Sequence, residues 1–202
     1  MYDVQAVRRD FPILAREVNG KPLVYLDNGA SAQKPRVVID AVTRAYEMEY
    51  ANVHRGLHFL SNLATEKYEA VRGIVARFLG APDPDTIVLN SGTTEGLNMV
   101  AYGWAMPRFE AGDEVVLSVM EHHANIVPWH FLRERQGAVL RWVEPDAQGV
   151  LDAQRVIDAM TTRTKLVAIT HLSTALGSAV VVMALCDAAR ARGFPGLAVG
   201  SR

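Results

Sequence analysis

The residues with most chemical potential fall in four short polar clusters. The first is Ser91-Gly92-Thr93-Thr94-Glu95, which follows the apolar run Thr86 to Leu89 and opens a stretch of helical spacing. The free N–H groups of a helix start favour an anion, a glycine allows close backbone approach, and threonine hydroxyls add donors. The same residues also make an ordinary cap, with Ser91 or Thr93 at the helix start and Glu95 favourable in the first turn. A phosphate cradle and a plain cap both fit. A Walker A loop does not, since no Gly-Lys-Ser/Thr follows.

The second cluster, Glu121-His122-His123-Ala124-Asn125, follows an apolar run ending near Ser118. A histidine here could lie flat on an aromatic cofactor or carry a proton, or it could simply cap or line a loop. Adjacent side chains diverge, so the pair is a poor metal site. The third, His54-Arg55-Gly56-Leu57-His58, lies between two helical segments. Its arginine could bind a carboxylate or phosphate, or face solvent. The fourth, His171-Leu172-Ser173, follows the run Leu166 to Thr170.

The elements that must position these clusters alternate. Strands are predicted at Leu23–Leu26, Thr86–Leu89, Glu114–Leu117, Val139–Val143, Leu166–Thr170 and from Leu197 to Val199. Helices are predicted from Arg36 to about Tyr50, Asn62 to Leu79, Thr93 to Ala105, Ile126 to Arg135, Asp152 to Met160 and Leu185 to Arg192. This alternation predicts an α/β fold, a three-layer sandwich around a mainly parallel sheet. Ligands of such sheets bind outside the carboxyl ends of the strands. The clusters after Leu89, Ser118 and Thr170 would then converge on one crevice.

Composition bounds the partners. The chain has 202 residues, half of them hydrophobic, and a formal net charge of -1. That gives no electrostatic reason for a nucleic-acid or membrane partner. The single cysteine, Cys186, cannot form an internal disulfide, and its helical spacing reads as a small buried residue. A reducing, cytoplasmic setting is expected, without a signal peptide. The longest apolar run, Ala179 to Cys186, is too short to span a bilayer.

Taken together, the motifs resemble the SufS/CsdA-type cysteine desulfurases of the class V aminotransferase family. Tyr25-Leu26-Asp27-Asn28-Gly29-Ala30-Ser31 is similar to that family's YLDNAAS turn. Ala51 to His58 is similar to its NVHRGxH loop, and Gly92 to Glu95 to its GTTE phosphate turn. Met120 to Trp129 reads MEHHANIVPW, as the family does. The resemblance implies a large domain of the fold-type I PLP (pyridoxal 5'-phosphate) transferases and a homodimer. It implies removal of sulfur from L-cysteine to give L-alanine and an enzyme persulfide, passed to a sulfur-acceptor protein of iron–sulfur cluster assembly. L-selenocysteine is a second substrate in such families; selenocysteine lyase and other class V PLP enzymes are alternatives. A non-catalytic remnant or interaction fragment is the alternative of another class.

By position, the resemblance assigns Thr93 and Thr94 to the cofactor phosphate and His122 to stacking on the pyridine ring. It assigns Asn28 to seating the substrate, with His54 and Arg55 bordering the site near the dimer interface. Three positions depart from the family pattern: Thr174 stands for an Asn, Val199 for the Asp that pairs with the ring nitrogen, and Arg202 for a Gln. The family's Schiff-base lysine, nucleophilic cysteine and small C-terminal domain find no counterpart here. Residues 1–202 are therefore expected to form a partial PLP-binding large domain, incomplete at the C-terminus, inactive alone and low in stability because apolar faces stay uncovered.

Overall fold

The computed structural model describes residues 2–200, and they fall into two units, Met1–Leu89 and Asn90–Arg202. In the first, helix α1 (Val4–Arg9) starts where Asp3 Oδ1 accepts the Ala6 N–H at 3.0 Å. Two short antiparallel strands follow, β1 (Glu17–Val18) and β2 (Lys21–Pro22). Asn19 and Gly20 join them at φ +52° and +71°, the left-handed pair that a two-residue hairpin turn requires. Helix α2 (Arg36–Arg44) runs on into a π-helical turn, Ala45–Glu49. Helix α3 (Phe59–Leu79) ends on Gly80 in the left-handed region, the usual glycine stop.

Two predicted strands of this unit do not form. Leu23–Leu26 makes no ladder, and Val24 and Leu26 are exposed. Pro84–Thr86 is a 3-10 turn capped by Asp83, and Ile87–Leu89 stays unpaired, its Ile87 carbonyl accepting Arg72 Nη1 at 2.5 Å. An apolar run becomes a strand only when a neighbour takes its N–H and C=O groups; no neighbouring strand does so among the described residues. The unit also lacks a core of its own: Ser61 and Ala76 are its only buried residues among those described. Leu57 and Phe78 stand fully or almost fully in solvent, as expected of uncovered apolar faces.

The second unit is the α/β layer structure the alternation predicts. Helix α4 (Thr93–Met99) continues as a π-helical segment, Val100–Ala105. Then come β3 (Glu114–Ser118), α5 (Val127–Gln136), β4 (Val139–Val143), α6 (Ala153–Asp158), β5 (Thr164–Thr170), α7 (Val182–Ala191) and β6 (Gly196–Val199). All four strands are parallel, in the order β4-β3-β5-β6. Strand β3 is buried along its whole length, which its Val-Val-Leu run suits.

Strand direction sorts the side chains into two cores. Val116, Val167 and Ile169 pack with Val156 of α6 and with Leu185 and Ala189 of α7. Val115, Leu117, Leu166 and Ala168 face the other way, onto Ala101, Ala105, and Trp129 and Leu132 of α5. Handedness explains which helix goes where. The step from β3 to β4 runs one way along the sheet, and the next two steps run the other. With right-handed crossovers, reversing the step reverses the face, so α5 lies opposite α6 and α7. The result is three layers, α/β/α.

At the amino ends of the strands, Glu114 is tied to Arg141 Nη1 at 3.1 Å and accepts the hydroxyls of Thr161 and Thr164 at 2.6 and 3.2 Å. This locks β3, β4 and the entry to β5 together. Truncating Leu117 to Ala at the fully buried centre should lower unfolding stability by about 2–5 kcal/mol in urea titrations followed by far-UV dichroism. Phe78→Ser, at an 87% exposed position, should change it by less than about 0.5 kcal/mol and reduce binding of a hydrophobic dye.

Candidate functional site

The strand order reverses between β3 and β5, so their carboxyl ends flank the crevice where open parallel sheets bind ligands. The chain leaves β3 at Ser118 and turns through Glu121 and His122 into a short 3-10 turn, His123–Asn125. It leaves β5 at Thr170 and forms the turn carrying His171 to Thr174. Val199 pairs beside Thr170 on β6, and its carbonyl accepts the His171 N–H at 2.9 Å. Helix α4, which opens with Thr93 and Thr94, packs beside the His123–Asn125 turn.

His122 is exposed, and its ring is oriented: Nδ1 accepts the Ala124 N–H at 3.1 Å. That bond leaves the proton on Nε2, the nitrogen free to meet a ligand. The His123 ring lies at 79° to it with centroids 6.2 Å apart, so the two imidazoles stand edge to face. Among the described residues no group of His, Cys, Asp and Glu could hold a metal ion.

At the start of α4, Gly92 adopts φ +137° and ψ 172°, a region open essentially to glycine alone. Space is not the constraint, since a Cβ there would meet nothing within 4 Å. The N–H groups of Thr93, Thr94 and Glu95 precede the first intrahelical bond and have no carbonyl partner in the helix. The hydroxyls of Thr93 and Thr94 are exposed and make no hydrogen bond among the described residues. Glu95 reaches back to accept the Ser91 N–H at 2.6 Å, and this backbone bond holds its carboxyl below the ordinary glutamate value of 4.5. Cap and open donors thus coexist: Glu95 takes the Ser91 N–H and leaves both threonine hydroxyls free.

The residue that composition and spacing did not single out is Glu121. It is buried, and both oxygens are engaged. Oε1 accepts the Ser118 hydroxyl at 2.5 Å and the Thr170 N–H at 3.0 Å, and Oε2 accepts Asn125 Nδ2 at 2.8 Å. Asn125 also donates to the Ala168 carbonyl at 3.2 Å and accepts Trp129 Nε1 at 3.0 Å. Burial pushes the Glu121 carboxyl above 4.5, and these donors pull back against it. No helical spacing could have found it, because Glu121 precedes the 3-10 turn His123–Asn125 and the α-helix starts only at Val127.

Three expected positions lie in the other unit. Asn28 Oδ1 accepts the Gln33 N–H at 3.3 Å. His54 sits at φ +68°, held by its N–H to Thr65 Oγ1 at 2.9 Å and its Nε2 to Glu69 at 2.7 Å. Arg55, next to it, is exposed; its N–H donates to the Val53 carbonyl at 3.0 Å, and its guanidinium makes no hydrogen bond or ion pair among the described residues. Thr174 is exposed at the tip of its turn, and Arg202 lies outside the described residues. Cys186 is half-buried against the Gly196 carbonyl between α7 and β6, so its place is in packing.

The sequence profile of the aminotransferase class-V family matches residues 24–197. The chain belongs to the class V aminotransferase family. A cysteine desulfurase of Enterobacter sp. is 48% identical over 201 residues, covering 100% of this chain and 50% of that protein. The apo structure of a cysteine desulfurase from Thermococcus onnurineus superposes with a TM-score of 0.88 at 37% identity, over 98% of this chain and 47% of that one. The C-DES structure with glycine covalently linked to its PLP cofactor shares the fold, with a TM-score of 0.78 at 22% identity, over 100% of this chain and 50% of that one. The chain spans about half the length of the curated relatives it matches.

In a class V aminotransferase the residues present fit two parts of a PLP site and miss a third. Free hydroxyls and N–H groups at Thr93 and Thr94 suit a phosphate, and the oriented His122 ring suits a planar heterocycle. Val199 offers no charge to a ring nitrogen. Carboxyl carbon NMR titration should place Glu95 below and Glu121 above the ordinary glutamate value. By linkage, the Glu95 cap is then fully present above the unfolded value and lost as pH falls through the lower folded one. The ionisation cost of Glu121 grows as pH rises from the unfolded value through its higher folded one.

Proposed function

We propose that this chain carries the phosphate and ring-stacking half of the PLP site of a cysteine desulfurase. Its substrate is L-cysteine, with L-selenocysteine as a second; from L-cysteine the sulfur passes to the enzyme's nucleophilic cysteine thiol, which has no counterpart in this sequence, giving L-alanine and a persulfide on that thiol. The observation that carries the reading is the orientation of His122 at the strand-order switch, in a chain whose residues 24–197 match the class V profile.

Within this reading, Thr93 and Thr94 hold the cofactor phosphate through their free hydroxyls and N–H groups. The His122 ring would stack on the pyridine, its angle set by the bond to Ala124, and its Nε2–H, which lies in the ring plane, would stay free to donate. By the family resemblance, Asn28 seats the substrate, and His54 and Arg55 border the site near a homodimer interface. Thr174 supplies a hydroxyl where the family pattern has an amide, at shorter reach. PLP supplies an electron sink when bound. The sink needs a protonated ring nitrogen, and Val199 does nothing to keep it so. The persulfide passes to an acceptor protein of iron–sulfur assembly in the cytoplasm. No helix among the described residues is long and apolar enough to cross a membrane.

A second reading, a chain that binds cofactor but does not turn over, is favoured by Val199 and by the lysine contexts. None of Lys21, Lys34, Lys67 and Lys165 stands in a Ser-x-His-Lys segment. The 202-residue chain incubated with PLP and L-cysteine should therefore form no L-alanine by chromatography; measurable turnover would overturn this second reading. PLP titrations followed by tryptophan fluorescence test the first. Thr94→Val should weaken binding roughly tenfold or more, the scale of one hydrogen bond to a charged group. Val199→Asp should tighten it. Equal affinity in all three proteins would sink the site assignment.

A further inference from the structure

Three carboxylates of the second unit are buried: Asp113, Glu114 and Glu121. The first two have an arginine within ion-pair distance, Arg163 at 3.5 Å and Arg141 at 3.1 Å. Glu121 has no cationic partner among the described residues, and its contacts are all neutral donors. A buried charge held only by neutral donors persists when the donors are fixed in place and cannot reverse their polarity.

The hydrogen-bond directions around Glu121 are fixed one after another. Trp129 Nε1 is a donor only, so the Asn125 atom it meets is Oδ1. The Asn125 amide nitrogen then faces Glu121 Oε2 and the Ala168 carbonyl, and Oε2 must accept. The Thr170 N–H is likewise a donor only, so Oε1 must accept. Ser118 Oγ accepts the Met120 N–H at 3.2 Å, which leaves its own hydrogen for Oε1. Every group is satisfied when Glu121 is a carboxylate. An isosteric amide would set an NH2 against at least one of these donors.

We infer that Glu121 is a positioning residue for His122. Its buried carboxylate ties the turn after β3 to the end of β5 and thereby sets the angle of the His122 ring. The connection is short. Glu121 holds Asn125, the last residue of the turn that also carries Ala124, and the Ala124 N–H is what His122 Nδ1 accepts. Glu121 also holds Thr170, which pairs with Val199 on β6. One inward side chain thus holds the turn from which its neighbour points outward. This rests on the stacking role given to His122 above, but the ring angle can be read without any cofactor.

The test is ¹⁵N NMR of the full 202-residue chain labelled at histidine, at a pH above about 8 where imidazole is neutral. In the native chain His122 should show widely separated Nδ1 and Nε2 resonances, the mark of a single Nε2–H tautomer. In Glu121→Gln these two should move toward each other as tautomers mix. The control is Glu114→Gln, which removes an equally buried carboxylate at the other end of β3. It should lower the melting temperature and leave the His122 resonances in place. Unchanged His122 resonances in Glu121→Gln, or an equal change in Glu114→Gln, would overturn the inference.

Should Glu121→Gln fail to fold, Trp129→Phe removes the bond that sets the Asn125 amide, together with part of the buried volume beside Leu132, and leaves Glu121 itself in place. It should shift His122 in the same direction by less, and no shift there would equally overturn the inference. Adding PLP to the native sample separates the two readings. His122 resonances that ignore PLP would count against its stacking role while leaving the effect of Glu121 on the ring intact.

Discussion

A carboxylate buried without a cation holds the carboxyl ends of β3 and β5 at one distance. Glu121 takes a hydroxyl from Ser118 on its own strand, an N–H from Thr170 on the next, and an amide from Asn125 in the turn between sheet and helix. Ion pairing would be stronger in Coulomb energy, but an arginine at this place would bring its own desolvation cost. Neutral donors meet the charge with groups that the strand, the turn and α5 already place.

The two ends of the sheet are built differently. At the amino ends Glu114 and Asp113 pair with half-exposed arginines, pairs that water partly screens. At the carboxyl ends the bonds are short, buried and directional, and the residues that could meet a ligand sit on the turns these bonds hold. The division suits an α/β layer structure in which one edge of the sheet gives stability and the other carries chemistry.

Much of the second unit was legible in the sequence. Val139–Val143 is read with its observed ends, and Glu114–Leu117 falls one residue short of the observed β3. The resemblance to class V enzymes, carried by MEHHANIVPW and its companion motifs, agrees with the family profile over residues 24–197. The first unit was less legible. Leu23–Leu26 and Thr86–Leu89 have strand composition, but composition does not supply a partner for their backbone groups. The start of α3 was read three residues late, because His58 caps through a ring nitrogen, outside the usual Ser, Thr, Asp and Asn signals.

By itself the sequence determined the alternation of elements, the places where polar clusters follow apolar runs, and the types of donor at Gly92–Thr94 and His122. These depend on side-chain identity and on spacing along the chain. Only the tertiary structure decided the strand order β4-β3-β5-β6, and with it the switch point, since order depends on which strands pair across many residues. Tertiary structure also decided the role of Glu121. A glutamate beside two histidines reads as one more solvated charge until Thr170, 49 residues later, brings its N–H to the same oxygen.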